Sequence, residues 1–242
     1  MMENCSKEEL LAVEENYKFI ESRIAEAALK SGRKRADITF LAATKTVCPE
    51  KINHAISCGL SAIGENRVQE LLDKYEHYDL AHCDLQFIGR LQSNKIKYII
   101  DKVSQIQSVD SMTQIKEISK QAQKHDLTMN ILIEVNVGRE ESKGGVIPEA
   151  LHEFIHEASE HKGIHVNGLM AIPPISDDTK LLMEYFSLMR QYYVDIGSKK
   201  LDNVGMNILS MGMSSDYYEA ILCGANMVRI GSSLFGQRIY NK

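Results

Sequence analysis

Apolar residues recur three or four positions apart at Leu10, Val13, Tyr17, Ile20, Ile24 and Ala28, so the chain opens with a helix that buries one face. Ser6-Lys7-Glu8-Glu9 has the capping-box pattern that starts such a helix, and Gly32 follows its end. The pattern then changes. Ile38–Ala43 is short, apolar and partly β-branched, which predicts a buried strand, and it stops at Thr44-Lys45-Thr46. Further strands are predicted at Ser61–Gly64, Leu85–Gly89, Gln105–Val109, Asn130–Val137, Ile164–Ala171, Asn207–Met211 and Met227–Ile230. Helical segments fall between them at Pro49–Cys58, Val68–Tyr75, Asn94–Ile100, Met112–Lys124, Pro148–His161, Asp178–Ile196 and Asp216–Cys223.

Strands that alternate with helices imply a parallel sheet covered by its crossovers. Eight strands in a chain of 242 residues match the arithmetic of a (β/α)8 TIM barrel, with the first helix as an addition before strand one. An open doubly wound sheet is the alternative, but no G-x-G-x-x-G follows any strand. No linker or composition shift divides the chain, so residues 1–242 read as one domain. The polar loops Gly138–Gly145 and Pro173–Asp178 follow strands, on the face where barrel chemistry sits.

Composition narrows the classes. With 44% hydrophobic residues, 25% charged, 15 Gly and 4 Pro, a disordered or collagen-like chain is excluded. No apolar run is long enough to span a membrane, and Met1–Glu9 lacks the apolar core of a secretory leader. The net charge of −5 offers no broad footprint for nucleic acid, and Arg33-Lys34-Arg35 reads as a solvated loop. Five cysteines, an odd number with no C-x-x-C, fit a reducing cytoplasm, each thiol acting as a small hydrophobe.

Lys45 is the first candidate for chemistry. It ends an apolar strand and so projects at the mouth of the barrel, where low-dielectric walls favour a neutral amine that can attack a carbonyl. The plainer reading is a surface lysine past a strand end. At the other end of the chain, strand seven runs into Met211-Gly212-Met213-Ser214-Ser215-Asp216 and strand eight into Arg229-Ile230-Gly231-Ser232-Ser233. Each is a strand, a glycine, hydroxyls and a helix start, the ingredients of a phosphate cradle, and barrels often hold phosphate after strands seven and eight. Ordinary capping by Ser214, Ser215 and Ser232 is the competing reading. A carbonyl-binding lysine facing a phosphate site points to pyridoxal 5′-phosphate, which has both groups.

Six segments then identify a family. They are Ala42–Thr46, Gly64-Glu65-Asn66-Arg67-Val68-Gln69-Glu70, Phe87–Lys95, Gly168–Pro173, Leu209–Asp216 and Val228–Gly231. Together they resemble the pyridoxal phosphate homeostasis proteins, single barrels related to the N-terminal domain of alanine racemase (the fold-type III architecture). Gln86 departs from the pattern, standing where the family commonly has histidine. The resemblance implies that Lys45 forms a Schiff base with the cofactor, that Ser214, Gly231 and Ser232 hold its phosphate, and that Arg229 faces the pyridine nitrogen. It places Asn66 beside the ring and makes Met211 and Met170 candidate walls, with plain core as the alternative for both. Racemase-like enzymes carry a second, β-rich domain that supplies a catalytic tyrosine, and this chain ends about ten residues after strand eight. The expected function is therefore a carrier in the homeostasis of pyridoxal phosphate, with a racemase-like amino-acid enzyme as the alternative. Its expected partners are pyridoxal phosphate and apo enzymes that use it, with no nucleic acid or membrane, and a monomer is the expected state.

Three further features are weighed and set aside. His152-Glu153-Phe154-Ile155-His156 fits the H-E-x-x-H zinc pattern, but Lys162 stands where the extended motif needs a third histidine, so no metal is expected there. Asp177-Asp178 reads as a helix cap. Glu134 and Asn136 interrupt an apolar strand and belong either to the pocket or to a buried network.

Overall fold

Eight parallel strands close on themselves in chain order in the computed structural model, which describes residues 5–236. The leader reading at residues 1–4 lies outside the described residues. The strands are β1 (Thr39–Ala43), β2 (Ala62–Glu65), β3 (Asp84–Phe87), β4 (Gln105–Val109), β5 (Met129–Val135), β6 (Ile164–Ala171), β7 (Val204–Ser210) and β8 (Met227–Ile230). The helices are α1 (Lys7–Lys30), α2 (Pro49–Ser57), α3 (Val68–Lys74), α4 (Met112–Lys124), α5 (Leu151–Ser159), α6 (Thr179–Gly197), α7 (Tyr217–Leu222) and α8 (Ser232–Phe235). The barrel read from the sequence is therefore present.

Local chemistry explains most boundaries. Ser6 and Glu9 exchange hydrogen bonds at the start of α1, the Ser6 Oγ accepting from Glu9 N–H and the Glu9 carboxylate from Ser6 N–H. Asp178 caps α6 as expected, accepting from the N–H groups of Lys180 and Leu181. After β8 the described chain carries only α8, a helix of four residues. The 24-residue α1 packs against α2, α7 and α8 and shields that side.

Three expectations change. The helix read over Asn94–Ile100 is a 3-10 run, Ser93–Tyr98, a form that short connecting segments commonly take. Strand β5 stops two residues early: the Asn136 side chain donates to Glu140 O and accepts from Glu140 N–H, folding the chain into a loop. The basic cluster is not a solvated loop. Arg33 donates to the carbonyls of Ala225 and Ile221 at the end of α7, and Arg35 clamps Glu21 of α1, so both are half-buried and only Lys34 faces water.

Side chains alternate across the sheet, and the two faces differ. Ile63, Phe87, Ile106, Ile133, Leu169 and Val228 point outward into the core shared with the helices. The inward face begins with a small apolar group, Leu41, Ala62, Ile88 and Met227. The rest of the bore is polar, built from amides and one guanidinium on β3, β4, β7 and β8. Gly168 lies at an irregularity where β6 joins β7, with φ 153°, and a Cβ there would sit 1.8 Å from Ile208 O. Gly168→Ala is expected to lower stability by about 1–3 kcal/mol, as overpacking does, measured as a lower urea midpoint at unchanged slope.

Candidate functional site

Lys45 follows β1 with the parity of Leu41 and Ala43, the inward-facing residues of that strand. Its side chain therefore starts from the inner rim of the barrel, half-buried, and among the described residues no carboxylate or carbonyl holds its ammonium. The loop that carries it is tightly fixed. Thr44 is buried, its Oγ1 donating to Gly64 O and to the Glu65 carboxylate at 2.8 Å. Thr46 adopts φ 63°, an uncommon conformation for a β-branched residue, and donates its N–H to Glu70 at 2.8 Å. Lys74 joins these parts: its Nζ donates to Thr44 O at 3.1 Å, to Glu65 at 2.9 Å and to Glu70 at 3.2 Å. Tyr78 adds a 2.6 Å bond to the same Glu65 oxygen, and burial, followed by the nearby carboxylate, pushes its hydroxyl far above the ordinary range. Glu65 is fully buried, and its other oxygen has no partner among the described residues.

Asn66 comes directly after β2, two residues past Gly64, which pairs with Ala43. It therefore stands on the same rim as Lys45. Its Oδ1 is buried and has no hydrogen-bond partner among the described residues. The loop after β3 passes so close that a Cβ on Gly89 would lie 2.1 Å from Asn66 O, so only glycine lets these two loops touch. A cavity of about 420 Å3 opens beside Asn66, lined by Arg67, Arg90, Lys95 and Tyr98 among others.

On the other side of Lys45, β8 pairs with β1 so that Arg229 lies opposite Leu41. The Arg229 guanidinium is buried and donates to Ser210 Oγ at 2.6 Å and Ala171 O at 3.0 Å. Among the described residues no carboxylate pairs with it directly. Burial pulls its pKa down to about 10, with the more distant Glu134 and Asp216 opposing, so it stays charged at neutral pH. Ser210 in turn donates to Gln107 Oε1, and Gln107 donates to Gln86 Oε1, which also accepts from Gln105. Gln86 passes the chain to Asp84 at 2.7 Å. Glu134 faces the mouth, its carboxyl raised by burial and then by Asp110, while Arg229 and Arg90 pull it back. Asn136 belongs instead to the loop beyond.

The loops after β7 and β8 meet at Ser214. Its Oγ accepts from the N–H groups of Gly231 and Ser233, at 3.3 and 3.2 Å. Gly212, at φ 92°, turns the chain so that a Cβ there would meet Ala220 at 2.6 Å. Asp216 caps this turn by accepting from Met213 N–H at 2.6 Å, and burial raises its carboxyl although that bond opposes the shift. Ser232 is exposed at the start of α8. Lys45, Asn66, Ser214, Arg229, Gly231 and Ser232 thus lie at the same end of the barrel. Met211 is fully buried in the outer core cluster. Met170 pairs in register with Glu134 and Ser210 and shares their inward face. His152 and His156 are exposed on α5, and His152 contacts Lys199.

Comparison with known proteins agrees with the fold. Residues 11–239 match the alanine racemase N-terminal domain family. A pyridoxal phosphate homeostasis protein of Aquifex aeolicus is 44% identical over 218 residues, 90% of this chain and 95% of the relative. The chain belongs to this family of pyridoxal phosphate homeostasis proteins. Among solved family-like structures, an unknown protein from Bifidobacterium adolescentis superposes with a TM-score of 0.90 at 32% identity, covering 96% of this chain and 98% of the other. PipY of Synechococcus elongatus PCC7942, solved with PLP bound, superposes at 0.77 with 27% identity, covering 88% and 100%. Alanine racemase of Streptomyces coelicolor A3(2) shares the fold, at 0.71 and 16% identity, over 94% of this chain and 58% of its own.

Family membership did not single out Glu65, Lys74 and Tyr78, and the sequence pattern misses them too, because nine residues and a helix separate the buried carboxylate from its lysine. Removing the amine would leave that carboxylate buried without its cation. Lys74→Met is expected to cost about 3–5 kcal/mol, and the pair Lys74→Met with Glu65→Gln to recover most of it, measured by urea unfolding.

Proposed function

We propose that this protein holds pyridoxal 5′-phosphate at the mouth of its barrel, attached through Lys45, and takes part in the intracellular homeostasis of that cofactor. The observation that carries the reading is the pairing of charges on one rim: an unengaged lysine beside a buried guanidinium whose partners are all neutral. The donor set fits the group. Arg229 offers N–H groups from which an unprotonated pyridine nitrogen can accept a hydrogen bond. Asn66 Oδ1 lacks a partner beside the same space. Ser214, Gly231 and Ser232 gather hydroxyl and N–H donors of the kind that hold a phosphate.

Bound there, pyridoxal phosphate supplies an electrophilic aldehyde and an electron-accepting ring. The chain's own residues then favour holding over turnover. Lys45 provides the amine, and the clasp of Thr44, Glu65 and Lys74 keeps its loop in place. Arg229 cannot give up its proton to the ring, so the ring nitrogen stays neutral and draws electrons weakly. The same reading has the loaded protein act as a monomer in the cytoplasm and pass its cofactor to apo enzymes. All five cysteines are free thiols, which supports a reducing compartment, and among the described residues no helix is long and apolar enough to cross a membrane.

Borohydride reduction of the loaded protein, followed by peptide mass spectrometry, tests the attachment. The added mass is expected on the peptide containing Lys45, with no labelling and no visible absorbance band in Lys45→Ala. Equal labelling and an unchanged spectrum in that variant would overturn the reading.

A further inference from the structure

We infer that Glu14, His54 and Cys58 form a binding site for a thiophilic divalent cation such as zinc, on the outside of the barrel between α1 and α2. The site is separate from the mouth and does not rest on the function proposed there. His54 and Cys58 stand one helical turn apart on α2 and its C-cap, so their side chains share a face. Glu14 reaches the same point from α1. One ligand atom from each lies within 4.8 Å of the other two.

The second observation is at His54. Its Nε2 is buried and has no hydrogen-bond partner among the described residues. The three other partnerless buried side-chain atoms among the described residues lie at the end of β2, on Glu65 and Asn66, and in the loop after β5, on Glu140, whereas His54 stands on an outer helix with a thiol and a carboxylate close by. Nitrogen, sulfur and carboxylate oxygen are the donors zinc takes, at about 2.0–2.3 Å each, and a tetrahedron of that size sets its donors about 3.3–3.8 Å apart. Closing from 4.8 Å or less to that spacing asks for at most about 1–1.5 Å per donor pair. All three residues are half-buried, so water can supply the fourth ligand.

Lys18 competes for one donor, its Nζ lying 2.5 Å from Glu14 Oε1. That side chain is 69% exposed on a flexible stem, and an exposed ion pair of this kind is weak enough to yield to a metal. Burial, followed by the Glu14 charge, raises the Cys58 thiol, so it enters the site protonated. Binding replaces that proton: the S–H bond breaks, a sulfur–metal bond forms with the same electron pair, and one proton passes to the buffer, with no change in oxidation state.

The test uses the full chain, stripped with a chelator, dialysed and titrated with zinc chloride and, separately, with cobalt(II) chloride. One equivalent of zinc is expected to bind, and cobalt is expected to give a thiolate-to-metal charge-transfer band. Cys58→Ser should abolish the band. His54→Gln should weaken zinc uptake at least about tenfold, the lower range found even for changes behind a metal ligand. Cys5 and Cys48, whose sulfurs lie 3.0 Å apart, are the competing thiols, and Cys5→Ser with Cys48→Ser should leave both signals intact. No stoichiometric uptake by the native chain, or uptake unchanged in Cys58→Ser and His54→Gln, overturns the proposal. So does loss of binding in the Cys5/Cys48 variant. Melting temperatures of the metal-free variants separate lost binding from lost folding.

Discussion

A buried positive charge without a directly paired carboxylate organises this barrel. Arg229 sits inside the bore, and removing a guanidinium from water is costly unless its donors are met. Neutral groups meet them: a serine hydroxyl and a backbone carbonyl, with a chain of amides behind the serine ending at Asp84. A direct ion pair would have quenched the charge. Dipoles from the neighbouring strands leave it in place, near the end of the barrel where Lys45, Asn66 and the loops after β7 and β8 gather. Such an arrangement would let a cation serve as a permanent hydrogen-bond donor to the cofactor proposed above.

The second constraint lies on the opposite side of Lys45. A reactive amine is useful only if its loop returns to one position, and loops are the mobile parts of barrels. Here the loop is tied from below by Thr44, from the side by Glu70 and through both by Lys74. The left-handed backbone of Thr46 is kept because these bonds over-determine it. One lysine is thus consumed as a structural strut so that its neighbour in space remains unengaged.

Both the barrel and the strand ends that gather Lys45, Asn66 and Ser214 are legible in the sequence, for different reasons. Strand-helix alternation repeats through the chain, and strand ends are identified by where apolar runs stop, so the positions of Lys45 and Arg229 could be inferred from period alone. The glycine and serine loops after β7 and β8 also announce themselves by composition. The bore network is not legible in the same way, although Gln105-Ile106-Gln107 does alternate, because apolar content marks a buried strand and does not tell which amides meet across the bore. The Glu65–Lys74–Tyr78 clasp has no local period at all, since closure of the sheet brings its members together. Arg33 and Arg35 were misread for a similar reason: their carbonyl and carboxylate partners come from α7 and α1, remote from the loop itself.

A crystal structure of the protein soaked with pyridoxal 5′-phosphate tests the central claim most directly. It should show the ring nitrogen within hydrogen-bond distance of the Arg229 guanidinium, the aldehyde carbon joined to Lys45 Nζ, and the Ser210–Gln107–Gln86 chain undisturbed. A ligand whose ring nitrogen faces a carboxylate, or one bound away from the mouth with Arg229 still satisfied by neutral groups alone, would contradict it.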